Sequence, residues 1–350
     1  MNKKILITGG AGFIGTNATA YYLEKGLKVI VYDNLSRKGV VQNLSWLKKL
    51  KEAKKNLVFV KGDLRNEKTL EKTFKKYRPD LVLHLAAQVA MTTSVEDPRY
   101  DFEVNALGTF NVLEAIRKFT PQASAIYSST NKVFGETAGV EVVEGEKRYS
   151  YKDIKGISET FPLDFHGPYG CSKGAGDQYF RDYARIFGLK TVVLRQSGIY
   201  GPHQFGIVDQ GWLAWICNSL VFNRPMTIFG NGKQVRDVLF VEDVLKGYDV
   251  VFENIEKTKG QIYNIGGGPD FTLSIWELFE IVEKISLKKI RYGFDKWRPG
   301  DQKVYISDIS KIKKDTGWKP TVSPEDGVRK LYSWIMENKK SIKEADVFAR

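Results

Sequence analysis

Tyr169 and Lys173 are the residues whose types and spacing first predict chemistry. Pro168 precedes the tyrosine and favours the first turn of a helix, where the N–H group that proline lacks would have no partner. On a helix beginning there, the two side chains lie one turn apart on one face. An ammonium beside a phenol favours the phenolate, which lowers a tyrosine pKa from about 10 and provides a proton acceptor near neutral pH. The pair alone also fits a solvated lysine beside a half-buried tyrosine.

A glycine-rich turn near the N-terminus predicts a dinucleotide site. Gly9, Gly12 and Gly15 follow an apolar strand and open a helical pattern. This spacing permits a tight turn, lets the backbone approach a pyrophosphate, and directs a helix N-terminus at its charge. Asp33 ends the next strand, where a carboxylate accepts hydrogen bonds from a ribose diol and repels a 2′-phosphate, so NAD is favoured. The cationic pair at 37–38 leaves NADP as an alternative.

Short apolar runs alternate with helical patterns through the first half of the chain. The runs are apolar on both faces, as in parallel strands covered by helices on each side. This alternation predicts an α/β fold with a doubly wound parallel (Rossmann-type) sheet. The predicted strands are Ile5–Thr8, Lys28–Asp33, Leu57–Lys61, Asp80–Leu85, Ala123–Ser129 and Lys190–Leu194. The predicted helices lie near 13–25, 40–52, 67–77, 98–119 and 169–187.

After about residue 195 the alternation breaks, and glycine and proline separate shorter elements. We therefore expect a first domain over 1–195 and a smaller α/β C-terminal lobe over 196–350. Val235–Val241 and Ile262–Ile265 are candidate strands, and we expect part of the segment from about 235 to 265 to return to the first domain. The mostly polar tail over 341–350 is assigned no role.

Composition narrows the classes of function. The chain has 350 residues and a formal net charge of +13. Its lysines alternate with leucines at helical spacing, which indicates solvated helix faces, so no nucleic-acid partner is expected and an anionic small substrate fits the charge. No apolar run approaches the ~18 residues of a membrane span. Two cysteines form no disulfide framework and favour a reducing cytoplasm, and the histidines and cysteines show no metal-ligand spacing.

With these residues in this order, the chain resembles the extended short-chain dehydrogenase/reductases, in particular the nucleotide-sugar epimerases and dehydratases. The resemblance covers nearly the whole chain. Finer motifs are similar to those of one branch, the CDP-tyvelose (CDP-paratose) 2-epimerases. The motifs that carry this branch resemblance are Asp33–Gly39, Gln88–Ser94, Ser128–Gly135, Asp164–Lys173 and Asp209–Trp212.

The resemblance implies an isomerase with tightly held NAD that inverts C2 of a CDP-linked hexose through a transient keto-sugar. It makes 1–195 the NAD-binding domain and 196–350 the nucleotide-sugar-binding lobe. It also implies a homo-oligomer, a dimer or tetramer, built on the helices near 98–119 and 169–187. Epimerisation at C4 of a UDP-hexose is an alternative, and a non-catalytic dinucleotide-sensing protein is an alternative of another class.

The resemblance assigns three catalytic residues. Thr130 would hold the reacting sugar oxygen, and Tyr169 would take and return its proton. Lys173 would lower the Tyr169 pKa and hydrogen-bond the nicotinamide ribose. Dehydratases of this superfamily carry an Asp-Glu pair directly after the threonine, whereas this chain has Asn131 and Lys132. We therefore expect no elimination of water.

The remaining predicted contacts combine motif positions with the resemblance. Gly198 stands where many relatives have a diphosphate-binding asparagine, so Gln196, Ser197, Gln210 or backbone N–H groups are alternatives there. Small residues at 85–87 fit a close cofactor or helix–sheet packing. His166 and Lys132 each have a binding interpretation and a packing or surface one. The predicted NAD contacts are Gly9, Gly12, Phe13, Ile14, Gly15, Asp33, Asn34, Ser36, Arg37, Asp63, Leu64, Leu85, Ala86, Ala87, Gln88, Ser128, Tyr169 and Lys173. The predicted substrate contacts are Gln88, Thr130, Asn131, Lys132, His166, Tyr169, Gln196, Ser197, Gln210, Arg236, Arg298 and Asp301.

Overall fold

The computed structural model describes residues 3–298 and 301–348. Its contacts divide the chain into two compact units, each assembled from three segments. The first unit consists of Met1–Thr130, Gly167–Arg195 and Leu245–Tyr263. The second unit consists of Asn131–His166, Gln196–Val244 and Asn264–Arg350.

A seven-stranded parallel sheet forms the centre of the first unit, as predicted. Its strands are mainly apolar because helices cover both faces, and Ile5, Leu6 and Ile7 of the first strand are fully buried. The order across the sheet is β12-β8-β5-β4-β1-β2-β3, the doubly wound arrangement. These strands are β1 (Lys4–Thr8), β2 (Lys28–Asp33), β3 (Leu57–Lys61), β4 (Leu81–His84), β5 (Ser124–Thr130), β8 (Lys190–Gln196) and β12 (Ile262–Ile265).

Helices connect these strands close to the predicted positions. The segment predicted as one helix near 98–119 forms three consecutive helical segments, because a π-helical turn at Glu103–Leu107 joins two α-helices. The pattern near 40–52 ends early, and a short separate helix follows it. The helices are α1 (Phe13–Glu24), α2 (Val40–Leu47), α3 (Ala53–Asn56), α4 (Glu67–Tyr77), α5 (Met91–Glu96), α6 (Pro98–Phe102), α7 (Gly108–Phe119), α8 (Gly167–Phe187), α10 (Val241–Glu253) and α11 (Ile255–Thr258).

The second unit is built on smaller sheets. One four-stranded sheet is centred on β11 (Val235–Phe240), so this candidate strand belongs here, whereas β12 belongs to the large sheet. The core packs Leu213, Ile216 and Phe240 with other buried apolar residues. The other strands are β6 (Val142–Glu144), β7 (Tyr149–Tyr151), β9 (Gly198–Tyr200), β10 (Met226–Phe229), β13 (Thr272–Ser274), β14 (Tyr292–Asp295) and β15 (Val304–Tyr305). The helices are α9 (Trp212–Val221), α12 (Ile275–Ser286), α13 (Ser310–Thr316), α14 (Pro324–Glu337) and α15 (Lys339–Glu344).

Residues 131–166 were assigned by sequence to the first domain, but they belong to the second unit. The physical reason is a small apolar core in which Phe134, Tyr149 and Ile157 pack with Val304 and Tyr305 from the C-terminal part of the chain. A contact between segments so distant in sequence leaves no periodic signal.

The C-terminal segment is packed, which its polar composition does not indicate. Ile342 and Val347 are buried in the core of the second unit, and the ring of Phe348 lies 5.3 Å from that of Trp215. In 3–298 and 301–348, no helix is both long and apolar enough to span a bilayer. The same residues contain no cluster of three or more His, Cys, Asp or Glu side chains arranged to hold a metal ion.

Candidate active site

The glycine turn between β1 and α1 has the shape that a pyrophosphate needs. Gly9 has φ +68°, and a Cβ there would lie 2.8 Å from the backbone of Ala86. A Cβ on Gly15 would lie 2.0 Å from the Gly9 carbonyl oxygen. A Cβ on Gly12, however, would meet only that oxygen, at 3.1 Å. Apart from this tight contact with one carbonyl oxygen, nothing lies within 4 Å of the Gly12 Cβ position, and the first turn of α1 carries no acidic residue. This cradle fits the diphosphate of NAD.

Asp33 is fixed at the end of β2 by backbone donors. Its two carboxylate oxygens accept hydrogen bonds from the N–H groups of Ala11, at 3.0 Å, and Leu35, at 2.8 Å. Burial raises the pKa of Asp33, while these hydrogen bonds and the charge of Arg37 act in the opposite direction. The carboxylate is thus oriented toward the glycine turn, where the ribose of a bound dinucleotide would lie. Sequence reasoning did not find Asn43, which donates to the Ala11 carbonyl at 3.2 Å and supports this turn.

Asp63 and Asn34 link the ends of β3 and β2. The Asn34 amide donates to the Asp63 carboxylate at 3.0 Å. Arg65 donates to both Asp63 oxygens, also at 3.0 Å, and these contacts lower the pKa of Asp63 to about 2. Leu64 is buried, with its side chain close to Gly108. Ser36 and Arg37 are exposed in the loop after β2.

The loop after β4 contacts the glycine turn and the π-helical turn. The Thr8 hydroxyl accepts hydrogen bonds from the N–H groups of Leu85 and Ala86, both at 3.2 Å. The Gln88 amide is part of a buried network, since it donates to Asp101 at 3.2 Å and to the Ala90 carbonyl at 2.8 Å. The small residues Ala86 and Ala87 therefore allow both close backbone packing and the nearby cofactor cradle. Ala87, Phe13 and Ile14 are half-buried around the same cradle.

Tyr169 lies in the first turn of α8, directly after Pro168, as predicted. Its phenol is buried and hydrogen-bonds the Thr130 hydroxyl at the end of β5. Burial raises the pKa of Tyr169 to about 12, although Thr130 and Arg37 act to lower it. The expectation that this pKa falls below 10 is therefore wrong for the folded chain, because burial outweighs the neighbouring charges.

Lys173 lies one turn further along α8, with its ammonium directed at β5. Its Nζ donates to the Ser128 carbonyl at 2.6 Å and lies 4.2 Å from the centre of the Tyr127 ring. Burial lowers the pKa of Lys173 to about 7, and the carboxylates of Asp177 and Asp101 oppose this shift. Tyr169 thus meets Thr130 at the end of β5, and Lys173, one turn later on α8, meets the β5 backbone at Ser128. A shared catalytic role for the three residues stays a prediction.

A buried polar network below these residues was missed by sequence reasoning. Asp101 is fully buried and accepts hydrogen bonds from Ser172 and, at 3.0 Å, from Asn105. Asn105 also donates to the Gln88 carbonyl at 2.9 Å. The π-helical turn places Asn105 there, between a helix and the loop after β4. Burial raises the pKa of Asp101, whereas Ser172 and Lys173 lower it.

A buried ion pair on α8 was also missed. Arg195 donates to Asp177 through Nε, at 2.9 Å, and through a terminal nitrogen, at 3.0 Å. The Ser129 hydroxyl donates to the same carboxylate at 2.7 Å. The helical spacing of Asp177 after Lys173 was visible in the sequence, but its burial and its partner on β8 were not.

The second unit gathers the residues predicted to bind a nucleotide diphosphate. Arg236 forms an ion pair with Asp301 at 2.6 Å and donates to the Val235 carbonyl at 2.8 Å. Lys132 is half-buried nearby. Burial and the charge of Arg236 lower the pKa of Lys132 to about 8, while Asp301 and Glu136 oppose the shift. Lys132 is therefore part of a charged cluster and not a freely solvated lysine.

Arg298 belongs to a second cationic position in this unit. Its guanidinium lies 3.8 Å from the centre of the Phe229 ring, 3.2 Å from the Asp209 carboxylate and 3.3 Å from the Val208 carbonyl. A guanidinium held over a ring in this way is oriented for planar contacts with phosphate oxygens. Phe229 and Val208 were not found by sequence reasoning.

The other predicted substrate contacts have mixed environments. The Ser197 hydroxyl is bound to the buried carboxylate of Asp237. Gln196 is buried, and Gln210 is half-buried in a tight turn with Ile207. Asn131 begins a 3₁₀ turn directly after Thr130 and is half-buried, whereas His166 is exposed.

Comparison with known proteins agrees with this geometry. The family model described as GDP-mannose 4,6 dehydratase matches residues 6–331. CDP-paratose 2-epimerase from Salmonella typhi is 48% identical over 95% of this chain and 98% of its own. The structure of Thermotoga maritima UDP-glucose 4-epimerase with UDP-glucose has a TM-score of 0.81 and 31% identity over 96% of this chain and 99% of its own. That of the Thermus thermophilus UDP-glucose 4-epimerase complex with NAD has a TM-score of 0.79 and 31% identity, over 95% and 98%.

The comparisons agree with the fold. The matched region includes the glycine turn, Asp33, Thr130 and the start of α8. The residues present fit NAD, and the relatives depend on it. The chain therefore belongs to the GDP-mannose 4,6-dehydratase family, the NAD-dependent epimerases and dehydratases of nucleotide sugars within the extended short-chain dehydrogenase/reductases.

Proposed function

We propose that this protein inverts C2 of a CDP-linked hexose, interconverting CDP-paratose and CDP-tyvelose or a plainer pair such as CDP-glucose and CDP-mannose. The observation that carries the proposal is the hydrogen bond between Thr130 and Tyr169, with Lys173 one turn further along the same helix. Directly after Thr130, the chain has Asn131 and Lys132. This set can move a proton at a sugar hydroxyl but lacks the adjacent carboxylate that elimination of water requires. The choice of C2 and of CDP rests on the 48% identity to a CDP-paratose 2-epimerase.

The chemical roles follow from the positions of the side chains. Thr130 holds the reacting sugar oxygen, and Tyr169 removes its proton while the carbinol becomes a ketone. The ketone then presents its other face, and Tyr169 returns the proton when the carbon is reduced. Lys173, one turn further along α8, would supply a donor to the nicotinamide ribose. Bound NAD supplies the acceptor and donor of the electron pair, so there is no net redox change.

The basic residues of the second unit supply the recognition of the nucleotide diphosphate. Arg236 and Arg298 provide guanidinium groups that match phosphate oxygens, and Asp301 provides an acceptor for a ribose hydroxyl. Lys132 adds a nearby cation whose proton affinity rises when an anion binds beside it. His166, Gln196, Ser197 and Gln210 remain predicted contacts with the sugar or diphosphate.

The test is an anaerobic incubation with CDP-paratose or CDP-glucose in heavy water without added NAD. We expect the C2 epimer to form with no deuterium at C2, because the electron pair returns with the hydrogen that left. The variant Tyr169→Phe should lose at least about 10²-fold in kcat and keep its bound NAD. Tyr179→Phe, on the same helix, is the matched control and should keep full activity.

Three results would count against this proposal. Absence of the C2 epimer from either substrate would remove the C2 reaction, and deuterium at C2 would indicate proton abstraction from carbon. An unchanged rate in Tyr169→Phe would remove the catalytic assignment and favour a non-catalytic dinucleotide-sensing protein.

A second candidate function is epimerisation at C4 of a UDP-hexose. The likeness to UDP-glucose 4-epimerase from Thermotoga maritima supports it. The two functions predict different nucleotide preferences, since a ligand that binds only the folded state raises the melting temperature. CDP should raise it more than UDP if the first proposal holds, and UDP more than CDP if the second does.

We also propose that the protein is a homo-oligomer. Large apolar side chains are exposed along α6, α7, the π-helical turn and α8 of the first unit. The rings of Phe110 and Tyr179 lie 5.8 Å apart, which joins α7 to α8 in one surface. This helix face comprises Phe102, Leu107, Phe110, Tyr179, Ile186 and Phe187. An apolar face of this kind indicates a protein partner, and the symmetric choice is a second copy of the chain.

A further inference from the structure

Three consecutive residues at the end of β5 contact three successive turns of α8. The Thr130 hydroxyl meets Tyr169, and the Ser128 carbonyl accepts from Lys173 at 2.6 Å. Between them, the Ser129 hydroxyl donates to Asp177 at 2.7 Å. The first two contacts hold the side chains proposed to do chemistry. The third contains no such side chain, and the proposed mechanism does not use it.

The third contact is the most firmly held of the three. Asp177 is fully buried, and both of its carboxylate oxygens bind Arg195 of β8, at 2.9 and 3.0 Å. Arg195 is 1% exposed, so the ion pair lies in the interior of the first unit. A bidentate guanidinium–carboxylate pair fixes the position of the carboxylate more narrowly than a single hydrogen bond. Breaking such a buried pair is strongly unfavourable, so the carboxylate is a rigid anchor for Ser129.

We infer that Asp177, held by Arg195, is a positioning residue for the proposed active site: it fixes Ser129, and thereby the register at which Thr130 meets Tyr169 and the Ser128 carbonyl meets Lys173. This inference rests on the proposed roles of Tyr169 and Lys173.

The electrostatic environment supports the same role. The carboxylate of Asp177 is the largest influence that favours the charged form of Lys173, against the burial that disfavours it. Asp101 acts in the same direction. Asp177 therefore favours the charged form of Lys173 and also fixes the position of the Thr130 hydroxyl beside Tyr169. Both residues are proposed to touch substrate or cofactor.

The deciding variant is Ser129→Ala, because it removes the link between β5 and Asp177 and leaves the ion pair with Arg195 in place. Ser124→Ala is the matched control, since Ser124 is a buried serine at the beginning of the same strand. Asp177→Asn tests the link from the helix side. It leaves the Arg195 charge without its buried partner, so its folding is checked by circular dichroism and it serves as a second variant.

The first measurement needs no substrate. The tyrosinate absorbance of Tyr169 is titrated as the difference between each protein and the same protein carrying Tyr169→Phe. Because the Thr130 hydrogen bond lowers the pKa of Tyr169, we expect this pKa to shift upward in Ser129→Ala and to stay unchanged in Ser124→Ala.

The second measurement is turnover of the CDP-hexose. Ser129→Ala should lose about tenfold or more in kcat with KM within about twofold, as expected when a reacting group is displaced but binding is kept. A Tyr169 titration and a kcat both equal to those of Ser124→Ala would overturn the inference. If no CDP-hexose is turned over, the proposed function fails, and the tyrosinate titration alone decides whether Asp177 positions Tyr169.

Discussion

Lys173 is a buried lysine of the first unit, and burial disfavours its charged form. Burial lowers its pKa to about 7, whereas a lysine in an unfolded chain titrates near 10.4. At pH values between these two pKa values, the Lys173 side chain is protonated in the unfolded chain and neutral in the folded chain. The free energy of unfolding must therefore rise as the pH increases from about 7 to about 10, because the cost of burying an ammonium disappears.

Replacing Lys173 by methionine should remove this pH dependence. We expect the free energy of unfolding of the unmodified protein to gain a few kcal/mol over Lys173→Met between pH 7 and pH 10. Urea denaturation at several pH values measures the difference, with Lys54→Met, an exposed lysine of α3, as the control. Parallel pH profiles for the unmodified protein and Lys173→Met would contradict the low pKa of Lys173.

Single residues also mark where sequence reasoning stops. Helical spacing placed Tyr169 and Lys173 on one face, and the motif order placed Thr130 beside them. The sign of the Tyr169 pKa shift was wrong, because spacing does not reveal how deeply a phenol is buried. Asp177 and Arg195 were missed for the same reason, since each has an ordinary surface interpretation until the fold brings them together.

The turn that joins β1 to α1 assigns different tasks to its glycines. A Cβ on Gly15 would lie 2.0 Å from the Gly9 carbonyl oxygen, so the turn cannot keep its shape. Gly12 has φ −68° and ψ −179°, which any L-residue can adopt, and a Cβ there would meet only the Gly9 carbonyl oxygen, at 3.1 Å. Gly15 is therefore needed for folding of the turn, and Gly12 for the approach of the cofactor.

The variants Gly12→Ala and Gly15→Ala separate these tasks. With both proteins stripped of NAD, we expect Gly12→Ala to keep its stability within about 1 kcal/mol of the unmodified protein, but it should fail to bind NAD because its methyl group fills the cradle. Gly15→Ala should lose more than about 2 kcal/mol of stability along with NAD. Thermal unfolding and the NAD released on acid denaturation provide the two measurements. Retention of bound NAD by Gly12→Ala would show that the space beside Gly12 is not part of the cofactor cradle.

Local sequence patterns predicted the strands of the first unit better than they predicted which strands pair with one another. The six strands predicted for the first domain all form, because each contains a short apolar run that is covered by helices. Ile262–Ile265 joins the same sheet, but Val235–Phe240 pairs with strands of the second unit. The choice depends on which partner strand is available, and the sequence of a strand does not state its partner.

At the scale of the whole molecule, the surface has a basic part and an apolar part, and sequence composition alone does not distinguish them. The net charge of +13 is spread over many exposed lysines. Only about half of these lysines lie in helices, and the rest lie in turns and loops or at a strand end. The apolar face on α6, α7 and α8 interrupts this charged surface. Ile186 and Phe187, at the end of α8, are 67% and 49% exposed, which water alone does not favour for such large side chains.

If two copies of the chain meet at this face, a charge placed in it should separate them. We expect the unmodified protein to sediment as a dimer or tetramer and Ile186→Glu to sediment as a monomer with its bound NAD. Burying a carboxylate without a partner at an interface costs several kcal/mol of association free energy. A dimer held by a standard interface of about 1,600 Å² should then dissociate at micromolar concentration. Leu287→Glu, at the exposed end of α12, is the control and should leave the assembly intact. A monomeric unmodified protein, or an Ile186→Glu variant with unchanged sedimentation, would show that this face is not the oligomer interface.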